Sequence, residues 1–256
     1  MRSLTFTLLL GLFFACSSFA QSNNWLIIPE SGVISTSGMV HEMDFIRGDI
    51  PYPGSYYTSS VNSYNKQWFA GLKAEKRMLD NKLGLATGIK FTKADYSVGP
   101  DNYSGDTDDF FYWEVGHNNN NTLYYRVKGI EQHNSYLGIP VEARYFFSDP
   151  YGLGMYVKAG VQFDLLLNSN TDILFRDPEM EKHSGELTDM LPEPAKFISS
   201  IYAAGGITLG NPARPHADMA IIFPYGYLTE TGCIVDRGLG FGCQLSLIIP
   251  LNNTQE

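Results

Sequence analysis

Residues Tyr151–Leu167, YGLGMYVKAGVQFDLLL, alternate with a period of two. Leu153, Met155, Val157, Ala159, Val161, Phe163 and Leu165 take the odd positions, and all are apolar. The even positions hold Gly152, Gly154, Tyr156, Lys158, Gly160, Gln162 and Asp164. Successive strand residues point to opposite faces, so one face is apolar and the other is small, polar or charged. A half-buried strand of a water-soluble protein keeps this up over about 4–8 residues. A strand that crosses a bilayer needs roughly 9–11 tilted residues. The run here is longer than either, and the question is whether its apolar face meets a core or lipid.

The N-terminus bears on that choice. Met1–Ala20 combines Arg2, an apolar run Leu8–Ala15 and a small-residue pattern Ser18-Phe19-Ala20 before Gln21. This is the form of a secretory signal peptide, and its apolar run is too short for a membrane helix. Cys16 as a lipoprotein site fits poorly, because Phe13, Phe14 and Ala15 precede it. Cleavage after Ala20 leaves one domain over residues 21–256, which is 236 residues (256 minus 20). No later stretch approaches about 18 apolar residues, so entry into a membrane requires a closed barrel, which leaves no backbone group unpaired in lipid.

The formal charge of −9 includes Arg2, so residues 21–256 carry −10, a balance that argues against nucleic-acid binding. Acid concentrates in two places. Seven acidic residues lie between Asp172 and Glu193, and Asp101, Asp106, Asp108 and Asp109 sit in a Gly/Ser/Asn-rich stretch. Both read as solvated loops. The second has oxygen ligands enough for calcium but lacks EF-hand spacing, and no metal or cofactor is assigned.

Further alternating segments follow. Tyr136–Phe147 aligns Leu137, Ile139, Val141, Ala143, Tyr145 and Phe147 opposite Glu142 and Arg144. Trp68–Arg77 sets Trp68, Ala70, Leu72 and Ala74 against Lys73, Glu75 and Arg77. Leu83–Phe91 sets Leu83, Leu85, Thr87, Ile89 and Phe91 against Gly84, Ala86, Gly88 and Lys90. Leu239–Ile249 repeats the pattern, Phe197–Leu209 and His216–Tyr225 show it weakly, and a first strand is expected somewhere in Ile34–Ile46. The total is eight. Short turns at 80–82, 148–150 and 211–215 alternate with long connections at about 47–66, 98–133, 167–195 and 227–237. The expectation is an all-β, eight-stranded antiparallel up-and-down transmembrane β-barrel with short periplasmic turns and long extracellular loops. A secreted lipocalin-like barrel is the alternative, but it would carry its apolar residues inside.

Three segments resemble the outer-membrane β-barrel domain proteins, often called porin-like, of Bacteroidetes-type Gram-negative bacteria. They are WFAGLKAEKRMLDNKLGLATGIKFT (Trp68–Thr92), YLGIPVEARYFF (Tyr136–Phe147) and YVKAGVQFDLLLN (Tyr156–Asn168). The resemblance covers about residues 66–168 and thins over 196–250. It implies an outer-membrane location, contact with outer-membrane lipid, insertion by the barrel assembly machinery and no particular reaction. One departure is the C-terminus, Leu251–Glu256, which lacks the terminal aromatic of many bacterial barrels.

On this register Lys73, Glu75, Arg77, Lys90, Glu142, Arg144, Lys158 and Asp164 point inward. Five cations and three anions either neutralise one another in a structural plug or line a narrow ion path. Small barrels enclose room for side chains only, which favours the plug. The five histidines show no metal spacing. His133-Asn134-Ser135 places a histidine and a hydroxyl on one face, an arrangement similar to that of small-barrel lipid A deacylases, but no carboxylate follows on that face. Cys233 and Cys243 flank the last long loop and are candidates for a disulfide in an exported protein. The function expected is a non-enzymatic membrane scaffold that binds a ligand or protein through acidic extracellular loops. A narrow channel and a lipid A-modifying hydrolase are the rivals.

Overall fold

A computed structural model describes residues 25–38, 46–47, 61–100, 110–117, 121–147, 152–235 and 238–251. The expected signal peptide, the acidic stretch 101–109 and the expected turn at 148–150 lie outside these. Among the described residues ten strands form: β1 (Trp25–Thr36), β2 (Ile46–Arg47), β3 (Val61–Met78), β4 (Leu83–Pro100), β5 (Phe111–His117), β6 (Asn121–Phe146), β7 (Gly152–Phe175), β8 (Phe197–Gly210), β9 (His216–Tyr227) and β10 (Gly240–Pro250). Eight of them close an antiparallel ring in the order β1-β3-β4-β6-β7-β8-β9-β10, with β10 returning to β1. β5 continues the wall beside the upper part of β6, and β2 pairs with β5.

The first strand is a correction. It spans Trp25–Thr36 instead of lying within Ile34–Ile46. Pro29 and the charged Glu30 interrupt the apolar run and hide its period. The β1–β10 ladder passes from Ile27–Ile249 to Glu30–Ser246, skipping the proline, which has no N–H to donate. The connections at 47–66, 98–133 and 167–195 are also shorter than expected. β3, β4, β6 and β7 climb into them, with 26 residues in β6 and 24 in β7.

One end carries tight connections. Leu79, Asp80 and Asn81 all take left-handed backbone angles, and Lys82 N–H donates to Leu79 at 3.0 Å. At the second turn Asn211 accepts from Ala213 through its side chain and from Arg214 through its backbone. This is the turn end; the opposite end, where the strands run tall, is the crown.

Around the turn-end half the outward face is apolar, with Ile221 66% exposed and Leu245 60% exposed. Aromatic pairs mark its two borders. Trp68 and Phe91 meet at 5.7 Å toward the crown, and Tyr145 and Phe147 at 5.4 Å near the turns. The buried faces hold the charges, the reverse of a lipocalin-like barrel. Among the described residues, no helix is long and apolar enough to cross a membrane.

The alternation that starts at Leu153 ends at a bulge. Ser135 pairs with Asn168 while Tyr136 pairs with Leu166, which leaves Leu167 as an extra residue. Above it the faces of β7 exchange, so Ser169 reaches inward to Asn134 at 2.7 Å and Ile173 is buried.

Candidate functional site

All eight residues assigned to the interior point into the ring and are at most 5% exposed. The structure adds two that the sequence pattern did not single out, Glu30 and Asp218, at 6% and 2%. Glu30 lay in the missed first strand, and Asp218 sat in the weakly alternating segment from His216. With them the interior holds five cations and five anions among the described residues.

These side chains form tiers. Glu142 is the hub of the middle one. Its carboxylate accepts from Lys73 at 2.6 Å and from the Tyr202 hydroxyl at 2.5 Å, and Lys158 lies 3.5 Å away. Lys73 also meets Glu30 at 2.5 Å; Glu30 accepts from Gln244 at 2.6 Å; Gln244 accepts from Lys158 at 2.6 Å. The contacts therefore return to Glu142 as a closed loop through β1, β3, β6, β7 and β10. Gly160 lies between Glu142 and Tyr202 in the register, and a Cβ there would come within 2.9 Å of the tyrosine. Its missing side chain is what lets the hydroxyl reach the carboxylate.

Nearer the turns, Arg144 lies 3.5 Å from Glu75 and 3.6 Å from Asp218, and Arg77 donates to Glu75 at 3.1 Å. Both guanidinium groups rest on aromatic faces, Arg77 over Phe146 at 4.5 Å and Arg144 over Tyr156 at 4.4 Å. Toward the crown, Lys90 stands over Phe69 at 4.3 Å, and Asp164 accepts from Gln162 at 2.6 Å. A buried ion is costly unless paired and hydrogen-bonded. The middle tier meets both conditions; nearer the turns Arg144 and Asp218 are matched by charge alone, without a hydrogen bond between them.

The crown is packed differently. Cys233, Ile234 and Val235, from the connection between β9 and β10, are at most 2% exposed and turn into the mouth of the ring. They pack in one cluster with Phe111 and Trp113 of β5, Val127 and Ile130 of β6, and Leu187 and Leu191. The Ile234 N–H reaches the side chain of Gln132 at 3.3 Å. Leu187 belongs to a short helix, Ser184–Thr188, that follows a 3₁₀ turn over Pro178–His183. The acidic segment is thus not a free loop. Its leucines anchor it while Glu179, Glu181, Glu186 and Asp189 stay exposed. The alternation of Phe111, Trp113 and Val115 was the available signal for β5.

Two further expectations meet the geometry here. The Cys233–Cys243 disulfide is not formed: both thiols are free, one buried in the crown and the other exposed on the outer face of β10. Cys233 instead accepts from Asn134 at 3.3 Å, and burial pushes its thiol up. His133, in turn, has a carboxylate after all. Asp95 of β4 lies 2.7 Å from Nδ1. However, Nε2 is directed at Glu131, 3.6 Å away, where a hydrolase would direct it at Ser135. The ring is held between two carboxylates. Among the described residues, no group of His, Cys, Asp and Glu could hold a metal ion.

A ring of strands with an apolar outer band and a charged interior can be placed among known proteins. Residues 19–197 match the family model described as outer membrane protein beta-barrel domain. The chain belongs to that family. Its outer-membrane location follows from the membership. No curated protein matches it. Among solved structures it is similar to the N-terminal beta-barrel domain of Pseudomonas aeruginosa OprF, at 12% identity and a TM-score of 0.30, covering 88% of this chain and 99% of that one. It is also similar to LpxR from Salmonella typhimurium, at 11% identity and a TM-score of 0.27, covering 87% and 99%.

Proposed function

We propose that this family member is a non-enzymatic scaffold of the outer membrane: an eight-stranded up-and-down transmembrane barrel with its turn end in the periplasm and its crown outside the cell. The crown presents an acidic surface to a ligand or protein. The porin-like character of Bacteroidetes-type relatives extends to architecture and not to transport. The carrying observation is the closed loop Lys73–Glu142–Lys158–Gln244–Glu30, overlain by the apolar crown cluster. Side chains occupy the lumen at both levels, so the work of the molecule falls to its outer surface.

Planar bilayers holding the purified full chain test this reading. The expected result is a baseline without resolved steps, and stepwise conductance would replace the scaffold with a channel. Heat-modifiable migration and protease shaving of intact cells check the closed barrel and the exposed crown. For the hydrolase alternative, Ser135→Ala should leave the lipid A species of expressing cells unchanged, because Nε2 of His133 is directed at Glu131. A shift in acyl-chain number between wild type and variant would reinstate the enzyme.

A further inference from the structure

The outer face of the wall above the apolar band is not uniform. On β8, β9 and β10 apolar residues are exposed up to the rim, as at Phe197, Leu228, Leu239 and Phe241. On β4 and β6 they turn polar, through Lys93, Asp95, Ser135 and His133, and the wall goes on rising. At its top, Phe110, Tyr112 and Tyr124 meet edge to face, at 5.2 Å for the first pair and 6.3 Å for the second. Two arginines converge on them. Arg176 lies over the Phe110 ring at 4.5 Å and Arg126 at 5.7 Å. Arg126 is bound to Asp177 at 2.7 Å, with side chains 42% and 31% exposed. The Arg176 side chain makes no ion pair with a described residue. Among the described residues this leaves one stacked guanidinium without an ion pair beside three part-exposed aromatic rings, with Asp177 held by Arg126 and Glu114 opposite Tyr124.

We infer that this aromatic–arginine patch holds the anionic saccharide headgroup of the glycolipid that surrounds the protein in the outer leaflet. The inference rests on the proposed orientation, with the crown outside. Direction selects the occupant. The patch lies on the outer face of strands whose lower parts face lipid, so it looks sideways along the membrane instead of up into the medium. Leu137 tops the apolar band on β6 and Arg126 lies eleven residues above it (137 minus 126), a climb of roughly 25–30 Å for a strand tilted about 40°. At that height the neighbours are headgroup sugars with their phosphates and carboxylates. The planar fork of arginine matches phosphate and carboxylate geometry, and its stacking on Phe110 fixes the fork in advance. The tyrosines offer a flat apolar body with a hydroxyl at its edge, suited to a sugar ring that is apolar on one face and polar at its rim.

The test uses the detergent-solubilised full chain and microscale thermophoresis with three probes: lipopolysaccharide bearing its core saccharide, lipid A alone, and soluble polygalacturonate. Core-bearing lipopolysaccharide should bind roughly tenfold more tightly than either of the others. Arg176→Gln with Phe110→Ala should reduce that preference to about twofold or less. Arg176→Lys, which keeps the charge at an exposed site but loses the fork, should fall between. Equal binding of lipid A would overturn the proposal, as would an undiminished preference in the double variant. Polygalacturonate as tight as core-bearing lipopolysaccharide would overturn the glycolipid in favour of a free acidic polysaccharide. Labelling of Tyr112→Cys on intact cells with a membrane-impermeant maleimide tests orientation separately. If it fails while the saccharide preference holds, the crown faces the periplasm: the outer-leaflet glycolipid is overturned as the occupant, and the patch remains a binder of anionic saccharide.

Discussion

From Lys90 toward the turns, the ring encloses ten buried charged side chains; the buried residues of the crown cluster include none. The same strands build both regions. On β6, Glu142 and Arg144 point inward below while Leu137, Ile139 and Val141 point out; higher up, Ile130 and Val127 point inward and Arg126 points out. The solvent outside explains the exchange. Where lipid covers the outer face, the apolar side chains go there and the inward positions are left to fill a narrow lumen with matched charge. Where water covers it, the apolar side chains go inside, as in any soluble domain. The exchange is made at bulges in the β6–β7 ladder, beside Leu167 and between Val127 and Gly129.

If the two regions differ in this way, they should fail differently. Glu142→Ala strands Lys73 and Lys158 as buried cations with their hub removed, and the expected loss is about 3–5 kcal/mol. It would be read as a lower urea midpoint for the heat-modifiable band. Leu187→Ala should cost about 3 kcal/mol, but only in the crown. Protease cutting around residues 176–195 should rise while the midpoint of the ring holds. A midpoint that falls equally would show the two regions to be one cooperative unit. Cys233→Ser puts a hydroxyl in an apolar cluster, at a cost of about 1–2 kcal/mol. In the wild type, burial holds that thiol protonated, so maleimide labelling of Cys233 near neutral pH should need denaturant. The smallest change is expected from Arg126→Ala, whose exposed pair with Asp177 contributes about 0.2–1 kcal/mol. Crown proteolysis and ring midpoint should both stay near wild type.

The lipid-facing half was the part open to sequence reasoning, because lipid imposes one rule on every strand. Leu153–Leu165 and Leu137–Phe147 obey it without exception, and the inward register of Lys158 and Arg144 follows directly. β1 escaped because Leu26, Ile28 and Ile34 are inward apolar residues near the ends of the lumen, so the contrast between its faces is weak. The upper parts of β6 and β7 escaped because both faces there are polar or aromatic, as in Gln132-His133-Asn134. The pairing of His133 with Asp95 was out of reach for another reason: it crosses from β6 to β4, and a one-strand pattern carries no register between strands. The same holds for Glu30, whose partner Lys73 lies on β3.

The seam between β1 and β10 joins the two ends of the described chain along nine register pairs, from Leu26–Pro250 to Thr36–Gly240. It is the contact of greatest sequence separation in the ring, and such contacts form late because the loop they close is long. Before it forms, β1 and β10 each present an unpaired row of N–H and C=O groups beside an apolar face. A strand edge of that kind is a template for any other extended chain. The half-made ring is therefore the aggregation-prone species of this protein, and it persists until the seam is closed.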